Sequence, residues 1–141
     1  MNVSALLIDS DVLIDFMAER EPFSENAKQL IQQVQTRGIS AYLAAHSITN
    51  IFYLLRKTYS VSERKQRLCD LCQSISIVEI NAALINNILL NNDFDDIEDC
   101  LQAECAKAVN ADYIVTRNIK DYSLSAIPAI LPEDLLKLTK K

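Results

Sequence analysis

The stretch Leu6-Leu7-Ile8-Asp9-Ser10-Asp11-Val12-Leu13-Ile14-Asp15 decides the architecture. Its first three residues read as a buried strand, and the apolar positions after Asp11 pass into helical spacing. A second apolar run, Tyr113-Ile114-Val115, leads into Thr116-Arg117-Asn118 and then Asp121. Each run delivers carboxylates just past a strand's carboxyl end, where ligands bind in open α/β sheets. Between the two, Asp93, Asp95, Asp96, Glu98 and Asp99 crowd the approach to a helical pattern. Acids gathered there repel one another unless a cation shares them, and a hard ion such as Mg²⁺ or Mn²⁺ prefers oxygen ligands.

Outward from these runs, strand and helix signals alternate. Val3 to Ile8 is expected as the first strand and Val12 to Met17 as a short helical turn. Glu21-Pro22 opens a helix that runs through Leu30, Ile31 and Val34 and stops at Gly38, the chain's one glycine and a natural helix terminator. Ile39 to Ala44 is a second strand, followed by a helix from His46 or Ser47 through Ile51, Phe52, Leu54 and Leu55. A helix follows Ser62. Ile75 to Ile80 is a third strand, and Asn81 begins another helix. The helix after the acidic cluster carries Ile97, Leu101, Cys105 and Val109. Tyr113 to Val115 is the fourth strand, Ala129 to Leu131 a short fifth, and Pro132-Glu133 starts the last helix. Strands separated by helices predict a parallel sheet with right-handed crossovers and helices on both faces.

Composition narrows the function. A chain of 141 residues is long enough for one well-cored domain, here expected over residues 1–141. No apolar stretch approaches the roughly 20 residues that span a bilayer, and no secretory signal opens the chain, so a cytoplasmic protein is expected. A net charge of −5 opposes a broad electrostatic grip on nucleic acid but leaves room for a local one. Cys69, Cys72, Cys100 and Cys105 lie in helical patterns without a glycine-rich knuckle, which favours thiols in the core over a zinc site. The single histidine, His46, reads as a cap or surface residue.

Each acid has a structural use that competes with metal binding. Asp9 could cap the helix that follows it, and Asp11 caps more readily still. Asp15 is expected to be exposed or to stand behind the site. Asp96 and Asp99, three apart, share a helix face, where acids also favour a helix N-terminus. Asp121 lies in the loop or turn after the fourth strand and has its own capping alternative. The chemistry that uses such a cluster is phosphodiester hydrolysis, in which carboxylate-held metal activates a water and neutralises the leaving oxygen.

Three segments then carry a family resemblance: residues 7–15, Asp96-Ile97-Glu98-Asp99-Cys100-Leu101-Gln102, and Val115-Thr116-Arg117-Asn118-Ile119-Lys120-Asp121-Tyr122. Together with the closing residues 127–136, they resemble the motifs of PIN-domain (PilT N-terminus-like) ribonucleases, in the same order and over almost the whole chain. The resemblance implies a Rossmann-like three-layer α/β/α fold around a parallel sheet of four to five strands. It also implies RNA cleavage with Mg²⁺ or Mn²⁺, and suggests a small bacterial toxin neutralised by an antitoxin protein. By the same carry-over, Asp9, Asp99 and Asp121 are core metal-site acids and Asp96 an auxiliary one. Thr116 and Asn118 help to shape the site.

One departure stands out. The family commonly places an acid in the helix after the second strand, where this chain has Asn50, whose amide can ligate a cation but adds no charge. The alternative function is therefore a weakened PIN-like module that binds RNA or protein. A second rival, a haloacid-dehalogenase-type phosphatase, would use Asp9 as nucleophile and Asp11 as acid/base, but the later acidic pair it needs is out of order. Arg117 and Lys120 lie beside the site as candidates for substrate phosphate. Arg56, Lys57, Arg64, Lys65 and Arg67 could track an RNA backbone, although a solvated surface accounts for them slightly better. The apolar positions Ile48, Phe52 and Leu55 serve either the core or a homodimer face.

Overall fold

The computed structural model describes residues 2–139, which form a five-stranded sheet in the order β3-β2-β1-β4-β5. The strands are β1 (Ala5–Ile8), β2 (Ser40–Ala44), β3 (Ser76–Val78), β4 (Tyr113–Val115) and β5 (Ala129–Ile130). Every pairing is parallel, with Leu7 opposite Tyr42 on one side and Ile114 on the other. The helices are α1 (Ser10–Met17), α2 (Ser24–Arg37), α3 (Ala45–Leu54), α4 (Val61–Leu71), α5 (Ala82–Leu90), α6 (Ile97–Ala108) and α7 (Pro132–Thr139). A 3₁₀ turn spans Ile119–Tyr122.

Strand alternation splits the core into two. Leu6 and Ile8 join Val12, Leu13, Leu30, Ile51 and Leu135 on the face covered by α1 to α4 and α7. Leu7 points to the opposite face and meets Ile88, Cys100, Cys105 and Ile114 beneath α5 and α6. Because β1 is buried on both faces, it can be uniformly apolar. The expected three-layer α/β/α architecture is present.

Boundaries differ where local chemistry prevails. The helix expected from Glu21-Pro22 begins at Ser24, and α1 is a complete eight-residue helix where a short turn was expected. The α4 cap is Ser60, ahead of the expected Ser62. Its hydroxyl accepts from the Glu63 N–H while Glu63 reaches back to the Ser60 N–H, a reciprocal pair set by the Ser-x-x-Glu spacing. Gly38 ends α2 at φ 66°, the left-handed conformation that favours glycine.

One side-chain expectation is corrected, and of another the core alternative holds. Cys100 and Cys105 are core thiols, but Cys69 is exposed and Cys72 only half-buried, because α4 buries little beyond Leu68 and Leu71. Leu55 is fully buried and Ile48 and Phe52 pack on the core margin, so these three do not form an open face. Among the described residues, no helix is long and apolar enough to cross a membrane.

Candidate active site

From β1 the chain steps through β2 to β3, then crosses back to place β4 on the other side of β1. The carboxyl ends of β1 and β4 therefore flank the point where strand order reverses, the usual ligand crevice of such sheets. The Asp9 N–H donates to the Val115 carbonyl at 2.9 Å and ties the two ends together.

Asp9 is both the α1 cap and the hub of this crevice. Its Oδ1 accepts from the Ser10 N–H at 2.7 Å and from Gln102 Nε2 at 3.2 Å. Its Oδ2 accepts from the Thr116 hydroxyl at 2.9 Å and the Tyr122 hydroxyl at 3.1 Å. Ser47 supports the arrangement from below, with its Oγ 3.0 Å from Ser10 Oγ and accepting from Gln102 Nε2 at 3.2 Å. Burial drives the Asp9 carboxyl above its ordinary range, and the hydrogen bonds from Thr116, Tyr122 and Ser10 oppose the rise.

Asp11 does not cap α1. Its Oδ2 accepts from the Arg117 N–H and Asn118 Nδ2, both at 3.1 Å, and so clasps the loop after β4. Its Oδ1 is buried and has no hydrogen-bond partner among the described residues. Burial, and then the neighbouring Asp9 charge, push this carboxyl up to about 6. Of the two expectations for Asp15, exposure is corrected: it is buried behind the loop after β4 and accepts from both Arg20 and Arg117. The Arg117 guanidinium also lies 3.9 Å from the Phe23 ring centroid, so it is already engaged and shapes the loop.

The remaining acids line a cleft of about 340 Å³ that brings Asp93, Asp95, Asp96 and Asp99 together with Lys120 and Asp121. A larger cavity of about 620 Å³ lies elsewhere, beside α2 and α4, and contains none of the acids singled out from the sequence. Within the cleft, Asp96 is the α6 cap, its Oδ1 accepting from the Glu98 and Asp99 N–H groups at 2.8 and 3.1 Å. Asp99 is pushed up to about 6, first by burial and then by the charges of Asp96, Asp121, Asp9 and Glu98. These acids, from three stretches of the chain, thus feel one another. Asn50 on α3 faces the same region, with its Nδ2 3.4 Å from Glu98 Oε1. His46 Nε2 is 3.8 Å from that oxygen, too far for a hydrogen bond, and burial lowers the imidazole pKa so that the contact is not an ion pair at neutral pH.

The donors suit a hard cation in kind: carboxylate oxygens crowded enough to repel, with an orphaned buried oxygen on Asp11. Among the described residues, however, no three Asp, Glu, His or Cys side chains converge closely enough to cage an ion as they stand. Gln102, Tyr122 and Ser47 were not singled out from the sequence. Gln102 and Tyr122 stood inside the quoted segments, but nothing local marks a helical glutamine or a loop tyrosine as a partner of Asp9.

The basic region is also more engaged than its sequence suggests. Arg56, Arg64 and Arg67 stack over Tyr53, Phe52 and Tyr59, at 3.8 to 4.2 Å from the ring centroids. Arg64 also donates to the Phe52 carbonyl and so holds α4 to α3, while Arg56 and Arg67 pack on rings at the end of α3 and in the connection after it.

A family model described as a PIN domain matches residues 5–120. Comparison with curated proteins finds no match. Among solved structures, a toxin–antitoxin complex from Klebsiella pneumoniae is 19% identical with a TM-score of 0.66, the match covering 90% of this chain and 97% of that one. Mycobacterium tuberculosis VapC20, described as a sarcin–ricin loop cleaving toxin, is 12% identical with a TM-score of 0.69, covering 90% and 99%. FitAcB from Neisseria gonorrhoeae is 14% identical with a TM-score of 0.59, covering 91% and 98%.

Proposed function

The chain belongs to the PIN domain family, and we propose that it is a metal-dependent ribonuclease whose working acids are Asp9, Asp99 and Asp121, with Asp96 auxiliary. The observation that carries this reading is electrostatic. Asp99 lines the same cleft as Asp121, and its carboxyl is pushed up to about 6 first by burial and then by charges that include Asp121 and Asp9, which supports a shared role for the three. Family membership leaves no place for the dehalogenase-type alternative, and Asp11 is in any case committed to the Arg117–Asn118 loop.

Asp9, Asp99 and Asp121 would hold Mg²⁺ or Mn²⁺, with Asp96 beside them. Bound metal supplies activation of the attacking water and neutralisation of the leaving oxygen. Thr116, Gln102 and the Ser10 N–H fix the Asp9 carboxylate, so its orientation is set before substrate arrives. Asn118 and the Arg117 backbone keep the β4 loop against α1 through Asp11. Lys120, on the cleft wall beside Asp121, supplies positive charge for a substrate phosphate. Asn50 contributes a carbonyl oxygen where relatives commonly carry an acid.

The similarity to toxin–antitoxin structures supports a toxin role, with an antitoxin partner and RNA as substrate. Incubating purified protein with a mixed single-stranded RNA pool, with Mg²⁺ or Mn²⁺ and with EDTA, tests the enzymatic reading. Metal-dependent cleavage supports it. Absence of cleavage by folded protein favours the second reading, a binding module weakened by Asn50.

A further inference from the structure

The Asp9 carboxylate has no acceptor position to spare. A carboxylate offers about four lone-pair sites, and Ser10, Gln102, Thr116 and Tyr122 each donate to one. A cation that uses Asp9 must therefore displace a donor.

Three of the four donors are poorly placed to leave. The Ser10 N–H belongs to the first turn of α1 and is fixed by the backbone. The Thr116 hydroxyl is fully buried and is held by the Asn118 N–H, which donates to it at 3.0 Å. Gln102 is buried within α6, and its amide is shared with Ser47. Tyr122 differs. Its ring is buried as well, but it ends a four-residue 3₁₀ turn and follows Asp121 directly. Its hydroxyl donates to Asp9 over 3.1 Å. Its hydroxyl reaches Asp9 from the turn that also carries Asp121, on the side of the carboxylate turned toward that second acid's segment.

We propose that the Tyr122 hydroxyl is a place-holder on Asp9: it occupies the acceptor position a divalent cation takes, and the cation enters by displacing it. The phenol satisfies a buried carboxylate when no ion is present and taxes ion binding by the hydrogen bond that must break. Because Tyr122 adjoins Asp121, the displacement also moves the turn that carries Asp121. This proposal rests on the reading of Asp9 as a cation-holding acid.

The test is Mn²⁺ binding, read by electron paramagnetic resonance of free Mn²⁺ and by calorimetry, for the natural protein, Tyr122→Phe, Asp9→Asn and the double variant. Phenylalanine keeps the buried ring and removes one hydroxyl, and circular dichroism checks the fold. The expected result is Mn²⁺ binding about tenfold tighter in Tyr122→Phe, the order of one hydrogen bond to a charged group. Mn²⁺ should also raise the melting temperature more in that variant, and Asp9→Asn should abolish both gains. Equal or weaker binding by Tyr122→Phe, with binding still dependent on Asp9, overturns the place-holder and leaves the Asp9 assignment standing. Binding that does not depend on Asp9, or no saturable binding to either protein, overturns both.

Discussion

The Arg117 guanidinium donates to the buried Asp15 carboxylate at 2.7 Å, joining the loop after β4 to the middle of α1 across 102 positions of sequence. Arg20 donates to the other oxygen of the same acid, which Arg117 also reaches at 3.3 Å, and its side chain is the more exposed of the two, 44% against 28%. Removing Arg117 therefore leaves a buried charge with one solvent-facing partner. Arg117→Ala is expected to cost about 2 kcal/mol, below the full penalty for orphaning a buried ion because Arg20 remains. Urea denaturation measures it. Arg117→Ala should also slow cleavage, because the Arg117 N–H that Asp11 holds belongs to the loop the guanidinium anchors.

Stability should fall as pH rises from about 4 to 7 in cation-free buffer. Asp99 and Asp11 are both pushed up to about 6 in the folded chain, against an ordinary value of 3.8. Between those limits the folded state binds more protons than the unfolded state, so raising pH withdraws stability until both groups are ionised. Melting temperature followed from pH 5 to pH 7.5 should decline. Added Mg²⁺ or Mn²⁺ should restore more stability at pH 7.5 than at pH 5.

Asn50→Glu should exchange stability for ion affinity. Position 50 faces Glu98, so a second carboxylate there adds repulsion while no cation is bound. The variant is expected to melt several degrees lower in EDTA, on the order of 1 kcal/mol for a small domain. It should bind Mn²⁺ more tightly and cleave RNA faster than the natural protein. Calorimetry beside the melting curves separates the two effects.

Asp96 has a capping role that asparagine can keep and alanine cannot. Asp96→Asn should retain stability, whereas Asp96→Ala should lose about 1 kcal/mol with the α6 cap. Both variants remove a charge that raises Asp99, so the Asp99 carboxyl should titrate lower in each, as carbon-detected NMR would show. Cleavage should fall severalfold in Asp96→Asn, the mark of an auxiliary acid.

The readable parts of this molecule are those set by local pattern. Leu6-Leu7-Ile8 announces a strand buried on both faces, Asn81 and Gly38 mark helix ends, and the acids past β1 and β4 fall at the strand ends that flank the reversal of strand order. The alternation of strands and helices sufficed for a parallel sheet. What stayed hidden depends on contacts across most of the chain. The burial of Asp15 becomes intelligible only with Arg117 beside it, and Gln102 and Tyr122 acquire meaning only when Asp9 is within reach. Capping competition also misled at short range: Ser60 prevails over Ser62 because Glu63 completes the reciprocal bond. Cys69 resembles a core thiol in a helical pattern, yet the stripe that α4 buries runs through Leu68 and Leu71.

The central claim is that Asp9 and Asp99 act together on one reaction. Its most direct test is single-stranded RNA cleavage by the natural protein, Asp9→Asn and Asp99→Asn in Mg²⁺ or Mn²⁺, with EDTA as the control and circular dichroism confirming each fold. The account predicts cleavage that EDTA stops and that each substitution lowers by at least about a hundredfold, the scale on which loss of charge stabilisation at a reacting centre is felt. Cleavage that survives both substitutions, or that proceeds unchanged in EDTA, would contradict it.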